Sequence, residues 1–157
     1  MNLKIQNVSL SIKGRLIVDD VSITVNPGEV VGLMGPNGAG KTTTFNLAVG
    51  NIKPEKGEVL LNGKNITNLP LSTRSRLGLG YLTQEASIFR DLTVKDNIDL
   101  ALQNSSYSFA AIRNRREQLI NEFNLNNFVD NYGYQLSGGE RRRCEICLLY
   151  TSPSPRD

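Results

Sequence analysis

The 157-residue chain contains no histidine. That absence excludes a histidine-based triad, a histidine metal site or a histidine proton shuttle built from these residues. Cysteine is scarce, with Cys144 and Cys147 the only two. Residues 1–10 mix polar and apolar types and hold no continuous apolar segment of the kind a secretory signal carries. Two cysteines without such a signal fit a reducing cytoplasm. Long hydrophobic runs are missing too. Stretches such as Val30 with Val31, or Leu148 and Leu149 with Tyr150, fall far short of the roughly 18 apolar residues a membrane span needs. An excess of one charge is also lacking, since 18 Lys plus Arg against 15 Asp plus Glu leaves +3. So mild a balance does not argue for nucleic acid and suits an anionic small ligand or an acidic membrane surface equally. What remains is ordinary globular composition, 39% hydrophobic and 21% charged. It sets aside disorder, collagen and disulfide scaffolds, and the length fits about one compact domain.

The first half reads as strands and turns. Leu3, Ile5, Val8, Leu10 and Ile12 recur as apolar positions, with a one-residue phase slip between Ile5 and Val8. A turn at Lys13, Gly14 and Arg15 follows, then Leu16, Ile17 and Val18. Val21, Ile23 and Val25 alternate with Ser22, Thr24 and Asn26, a strand period of two. Asn26, Pro27 and Gly28 mark another turn. Residues 29–34, with Val30, Val31, Leu33 and Met34, read as a short buried parallel strand. Residues 57–64 read as a hairpin around Asn62 and Gly63. The second half is helical in pattern. Thr93 and Asp96 have capping-box spacing ahead of Val94, Ile98, Ala101 and Leu102 at helical intervals. Phe109, Ile112, Leu119, Ile120 and Phe123 outline a second amphipathic helix.

Two motifs carry chemistry. Gly35, Pro36, Asn37, Gly38, Ala39, Gly40, Lys41 and Thr42 fit the phosphate-loop pattern G-x-x-x-x-G-K-[ST]. Glycines let backbone N–H groups turn inward onto phosphate oxygens, where side chains would intrude. A helix from about Lys41 adds the positive end of its dipole. Lys41 is placed to reach β- and γ-phosphates, and the Thr42 hydroxyl to ligate Mg2+. The pattern arises by chance in roughly half a per cent of chains this long, and the apolar run before it and helix-capable run after it lower that further. A Gly-rich turn with no ligand is the bland alternative. The second motif is Leu136, Ser137, Gly138, Gly139 and Glu140. Locally it is a capping box, and its two glycines leave backbone N–H groups open at a helix start, which is an anion site. Alone, it reads as a helix cap and nothing more.

Together the motifs resemble those of ATP-binding cassette (ABC) ATPases. The order matches: phosphate loop at 35–42, Gln84 after a strand formed by Tyr81, Leu82 and Thr83, a helical segment, then the signature at 136–140. The resemblance covers residues 1 to about 146. It implies an α/β phosphate-loop NTPase fold represented by its N-terminal half, with an antiparallel β subdomain, a partial parallel sheet and a helical subdomain. By this reading 1–87 form the nucleotide-binding core, 88–135 the helical subdomain and 136–146 the signature and the start of its helix. The resemblance implies that ATP is the ligand and Mg2+ its ion. Gly35 to Gly40, Lys41, Thr42 and Thr43 would hold the phosphates, and Thr42 and Gln84 would meet the ion, Gln84 sensing it or the attacking water. Ser137, Gly138 and Gly139 would touch the γ-phosphate bound by a second subunit, which implies a homodimer of ATPase subunits. A narrower likeness, through residues 84–90, 42–45 and 137–143, is to the branch that powers lipopolysaccharide export. It implies transmembrane permease partners docking near Ile88 and Phe89, and a cytoplasmic chain held peripherally on the inner face of the membrane. Without the resemblance, Phe89 reads as a core aromatic. Branched-chain amino acid importer ATPases share similar stretches, and a soluble ABC translation factor or a catalytically silent nucleotide-binding fragment are the other readings.

The sequence also departs from the family. An aromatic residue usually stacks on adenine near position 12, where this chain has Ile12, with Lys13 and Arg15 close by. The family continues past the signature helix into an apolar strand ending in Asp-Glu, the Glu being the catalytic base, and then to a switch histidine. The 157 residues contain neither, so ATP turnover is expected to be negligible. Residues 147–157, with Pro153 and Pro155, are expected to be a non-native tail that cannot continue the helix begun at Gly138. Strand edges lacking the missing strand are expected to favour aggregation or marginal folding. Cys144 and Cys147 form C-x-x-C without a second ligand pair, so a metal or redox role is not expected. Arg141, Arg142 and Arg143, and Arg113, Arg115 and Arg116, are expected to be solvated helix faces, and no RNA-binding pattern appears.

Overall fold

The computed structural model describes residues 1–85, 87–103 and 108–151. It divides into two compact units, Met1–Leu79 and Gly80–Asp157. The division falls at 79/80, whereas the motif order suggested 87/88.

The first unit is a four-stranded sheet of order β2-β1-β3-β4 packed on a helix. Strands β1 (Leu3–Ile12) and β2 (Arg15–Val25) are antiparallel. Their connection uses Lys13 (φ 50) and Gly14 (φ 76), the left-handed pair that matches the twist of a tight hairpin. The phase slip in the apolar pattern is a bulge: register shifts between Ile5 and Val8, where Asn7 has φ 49. Ile5 and Val8 therefore both reach the core despite their odd spacing. The Asn26 turn closes with Glu29 N donating to Asn26 O at 3.0 Å. Strand β3 (Lys56–Leu61) pairs antiparallel with β1 and with the short β4 (Lys64–Asn65). The turn between β3 and β4 is Asn62 (φ 50) with Gly63 (φ 78), as its sequence predicts. Helix α1 (Lys41–Val49) sets Leu47 and Ala48 against Ile5, Val8, Leu10 and Val18. A second small cluster joins Val59, Leu61 and Ile66, before helix α2 (Leu71–Arg76), to Leu79 just after it.

The parallel sheet expected from residues 29–34 is not present among the described residues: every ladder is antiparallel, and the run is irregular. Val30 is 97% exposed and Met34 91%. A buried parallel strand exists only between neighbours that complete its ladder and cover its faces. No described strand pairs with this run, so its apolar side chains stay outside.

The second unit is helical. Its core joins Ile88, Val94, Ile98 and Leu102 to Leu119, Ile120, Leu125, Phe128, Leu136, Cys144 and Cys147. Helix α3 (Val94–Gln103) starts on the expected box: Asp96 N donates to Thr93 Oγ1 at 3.0 Å, and Thr93 Oγ1 donates to Asp96 Oδ2 at 2.6 Å. Helix α4 (Phe109–Glu122) is capped by Ser108, whose oxygen accepts from Ala111 N at 3.3 Å. Phe109 heads this helix and is exposed, so the buried stripe starts one turn later at Ile112. Arg116 reaches both carboxylate oxygens of Asp99 through Nη1, at 2.8 and 2.6 Å, and ties α4 to α3. It is mostly buried, not a solvated arginine. Helix α5 (Gly138–Leu149) runs without interruption past 146 to Leu149, and Cys147 is fully buried within the core. Pro153 and Pro155 lie outside the described residues.

Candidate functional site

The first unit builds its site where β2 meets the start of α1. Gly40 is the N-cap of α1 with φ 82, and a Cβ there would sit 2.5 Å from Ile17 O. Only glycine allows both the left-handed turn and this approach to β2. No side chain caps α1. The N–H groups of Lys41, Thr42 and Thr43, in the first turn, have no carbonyl one turn back to bond. They converge with the helix dipole on the loop of residues 35–40, a donor set suited to an anion. The turn is braced from below by Thr44, whose N and Oγ1 donate to Gly40 O at 2.8 and 3.0 Å. Ala39 N donates to Pro36 O at 3.3 Å, which closes the turn holding Asn37 and Gly38.

Lys41 completes the cradle. Its Nζ donates to Gly35 O at 2.7 Å and Pro36 O at 2.6 Å. The ammonium thus crosses the loop from the helix to its opposite lip and has two carbonyls, not a carboxylate, as partners. A phosphate oxygen is a stronger acceptor than either carbonyl, so the lysine can exchange them for it. Thr42 is exposed and Thr43 half-buried. Ile12 lies at the end of β1, opposite Arg15, and is exposed. The site residues of this unit fit a triphosphate: backbone donors, one cation and a hydroxyl oxygen in Thr42. Hard oxygen ligands of this kind also suit Mg2+.

The second unit brings Gln84 and the signature helix into one body. Gln84 is exposed, and residues 81–83 before it are irregular, not the strand expected. Its segment is held by α5 from two sides. Arg142 Nη1 donates to Thr83 O at 2.8 Å, and Ser87 N donates to Glu145 Oε1 at 3.0 Å. Arg142 and Glu145 also pair with each other at 3.0 Å. Sequence reasoning missed Glu145 and read Arg142 as solvated. The signal available was a carboxylate three residues after an arginine, which share one helix face.

The signature motif is the capping box expected. Ser137 N and Oγ each donate to Glu140 Oε2 at 2.8 Å, and Glu140 N donates to Ser137 Oγ at 3.4 Å. These bonds from Ser137 hold the Glu140 carboxyl below the usual glutamate range. Gly138 and Gly139 have open space where a Cβ would stand, so this end of α5 is accessible. Ile88 is buried in the helical core and Phe89 is 60% exposed, so of the two only Phe89 presents its side chain at the surface. Among the described residues no group of three or more His, Cys, Asp or Glu could hold a metal ion. Burial pushes the Cys144 thiol up to about 11 and the Cys147 thiol to about 12.

A helix-borne phosphate cradle on an antiparallel sheet, with a glycine-headed signature helix in the other unit, defines an ATP-binding cassette. A profile described as ABC transporter matches residues 18–155, and the chain belongs to that family. It is 48% identical over 145 residues to the lipopolysaccharide export system ATP-binding protein LptB of Haemophilus influenzae, and 49% identical over 145 residues to that of Escherichia coli K12. Each match takes in 92% of this chain and 60% of the relative, so the chain spans about 60% of the length of these curated relatives. Among solved structures it resembles an ATP-binding subunit of an ABC transporter, with TM-score 0.80 and 26% identity over 99% of this chain and 64% of that one. It also resembles a dimeric ATP-binding cassette in a post-hydrolysis state bound to ADP and Pi, with TM-score 0.79 and 26% identity over 98% and 71%.

Proposed function

We propose that the chain is the ATP-binding part of an ABC transporter ATPase that powers lipopolysaccharide export. The observation that carries the nucleotide reading is the uncapped start of α1, with Gly40 pressed on Ile17 and Lys41 spanning the loop. The relatives named for lipopolysaccharide export, at 48 and 49% identity, support the substrate. In this reading the backbone of residues 35–40, Lys41, Thr42 and Thr43 hold the phosphates of ATP. Thr42 offers its hydroxyl to Mg2+, which when bound offsets charge between the phosphates. Gln84 responds to the ion or the attacking water, on the strength of its motif. Ile12 contacts the base in place of an aromatic ring. Gly138 and Gly139, with their accessible N–H groups, and Ser137, whose own N–H is held by Glu140, meet the γ-phosphate of a second subunit, so the working form is a homodimer, as the post-hydrolysis relative is dimeric. Phe89 supplies the exposed apolar contact for a permease subunit. No helix among the described residues is long and apolar enough to cross a membrane, and the chain is proposed to sit on the cytoplasmic face through those partners.

Titration calorimetry with ATP and Mg2+ tests this reading. The 157-residue chain should bind ATP without turning it over, because the residues assigned here grip and orient phosphates and none is a base for the attacking water. Lys41→Ala should weaken ATP binding roughly 10-fold to 150-fold, the range for one hydrogen bond to a charged group. Its melting temperature should barely move, since Lys41 touches only two carbonyls. Equal ATP affinity in both proteins would remove the phosphate loop from the argument.

A further inference from the structure

Arg74 on α2 is completely buried, yet among the described residues it has no carboxylate partner. Its guanidinium donates instead to four backbone carbonyls. Nη1 reaches Leu47 O at 2.9 Å and Ala48 O at 2.6 Å. Nε reaches Leu69 O and Nη2 reaches Thr67 O, both at 2.9 Å. Leu47 and Ala48 lie in the last turn of α1, where carbonyls have no intrahelical donor and the dipole is negative. A planar fork that fills four acceptors at a helix C-terminus compensates a buried charge without an anion. Desolvation pulls the arginine below its ordinary range.

The chain is shaped for this contact. Gly50 ends α1 at φ 87, and a Cβ on it would lie 2.6 Å from Arg74 Nε and 2.8 Å from Cζ. Thr67, on the other side of the fork, is tied to the sheet because Val59 N donates to its Oγ1 at 2.9 Å. The far end of α1 is thereby fastened through Arg74 to β3. Its near end is the phosphate loop, pressed on β2 at Gly40. The nine residues of α1 span about 13 Å between these two fixings. Core packing of Leu47 and Ala48 holds α1 to the sheet without fixing its direction, whereas the fork adds directional bonds at this end; without them a small tilt of α1 turns the first-turn N–H vectors away from the loop.

We propose that Arg74 is a positioning residue for the phosphate cradle: by locking the C-terminal end of α1 to the sheet it preorganises the N–H groups at the other end. The inference rests on the nucleotide reading above but reaches a residue that touches no phosphate. Donors fixed before the ligand arrives cost no reorganisation on binding, which is how a remote clamp raises affinity.

The test uses Arg74→Lys, which keeps the charge but lacks the fork, and Gly50→Ala, which pushes on the fork from outside. Both are studied well below their melting temperatures in the 157-residue chain. Two-dimensional amide NMR of the nucleotide-free variants should show shifts at Gly38, Gly40, Lys41 and Thr42. ATP affinity should fall at least about fivefold, the lower end of ordinary coupling between separated sites. Folded variants with unshifted loop amides and unchanged affinity would overturn the proposal. If both variants fail to fold, the wild-type Arg74 Nε–H resonance decides. Coupling is reciprocal, so ATP should slow its solvent exchange, and an unchanged rate on saturation with ATP would overturn the inference equally. If the wild type binds no ATP, the nucleotide reading fails separately, and the nucleotide-free shifts still judge whether Arg74 sets the loop.

Discussion

Cys144 and Cys147 mark the difference between what a residue type suggests and what its surroundings permit. Their C-x-x-C spacing is that of redox and metal motifs, but both side chains are fully buried on α5. Burial is the leading cause that lifts them to about 11 and about 12 from an ordinary 9.0, with Glu145 adding to Cys144 and Cys144 adding to Cys147. Near pH 8 the thiolate fraction should therefore fall about a hundredfold at Cys144 and about a thousandfold at Cys147. Alkylation by iodoacetamide should be slow in the folded chain and fast in urea, and equal rates would show that the helical core does not close over them. The same shifts set an alkaline limit. A thiol raised on folding stabilises the native state below its unfolded value and loses that contribution as pH climbs from about 9 toward its folded value, so stability should decline above pH 9. The sequence sets no metal at these cysteines because no further ligand pair stands beside them. That they are core residues needed the packing of α5.

At the scale of elements, legibility followed how local the determinants are. The hairpin turns at Lys13 with Gly14 and Asn62 with Gly63, the bulge at Asn7 and the boxes at Thr93 and Ser137 are each fixed within a few residues, and each is present. Residues 29–34 and 81–83 are apolar enough to be strands, but a strand is made by neighbours distant in sequence, and none of the described strands pairs with them. The contacts of Arg74 and Arg116, and the bond from Ser87 to Glu145, were not legible for the same reason: their partners lie 17 to 58 residues away or on backbone carbonyls, which no side-chain pattern records. The signature cap yields a test at this scale. Ser137 bonds Glu140 in its ionised form, which places the glutamate below its ordinary 4.5. A carboxyl depressed on folding stabilises above its unfolded value and loses that contribution as pH falls through its folded one. A carbon-detected titration of the Glu140 carboxyl should therefore give a midpoint below 4.5, and Ser137→Ala should return it toward that value. An unaltered midpoint in the variant would show that the Ser137 backbone N–H and the Arg143 charge, not the Ser137 hydroxyl, set the shift.

Across the whole molecule, the two units each own a hydrophobic core. The chain nevertheless spans about 60% of the length of its lipopolysaccharide export relatives. In the first unit Val30 and Met34 are apolar side chains left uncovered, at 97% and 91% exposure. An apolar, β-prone run with unpaired backbone donors and acceptors is a template for another chain. The net charge of +3 over 157 residues offers little repulsion to oppose such pairing. Self-association should therefore rise with concentration across the micromolar-to-millimolar range in which exposed strand edges aggregate. Light scattering on the wild type and on Val30→Lys with Met34→Lys measures it. Neither side chain is packed in the described unit, so the double variant should keep its melting temperature while its scattering falls, because two lysines charge the edge. Undiminished scattering in a variant that melts like the wild type would place the sticky surface elsewhere. The exposed aromatics of the second unit, Phe89 with the stacked pair Tyr132 and Tyr134, would then be the next surface to charge.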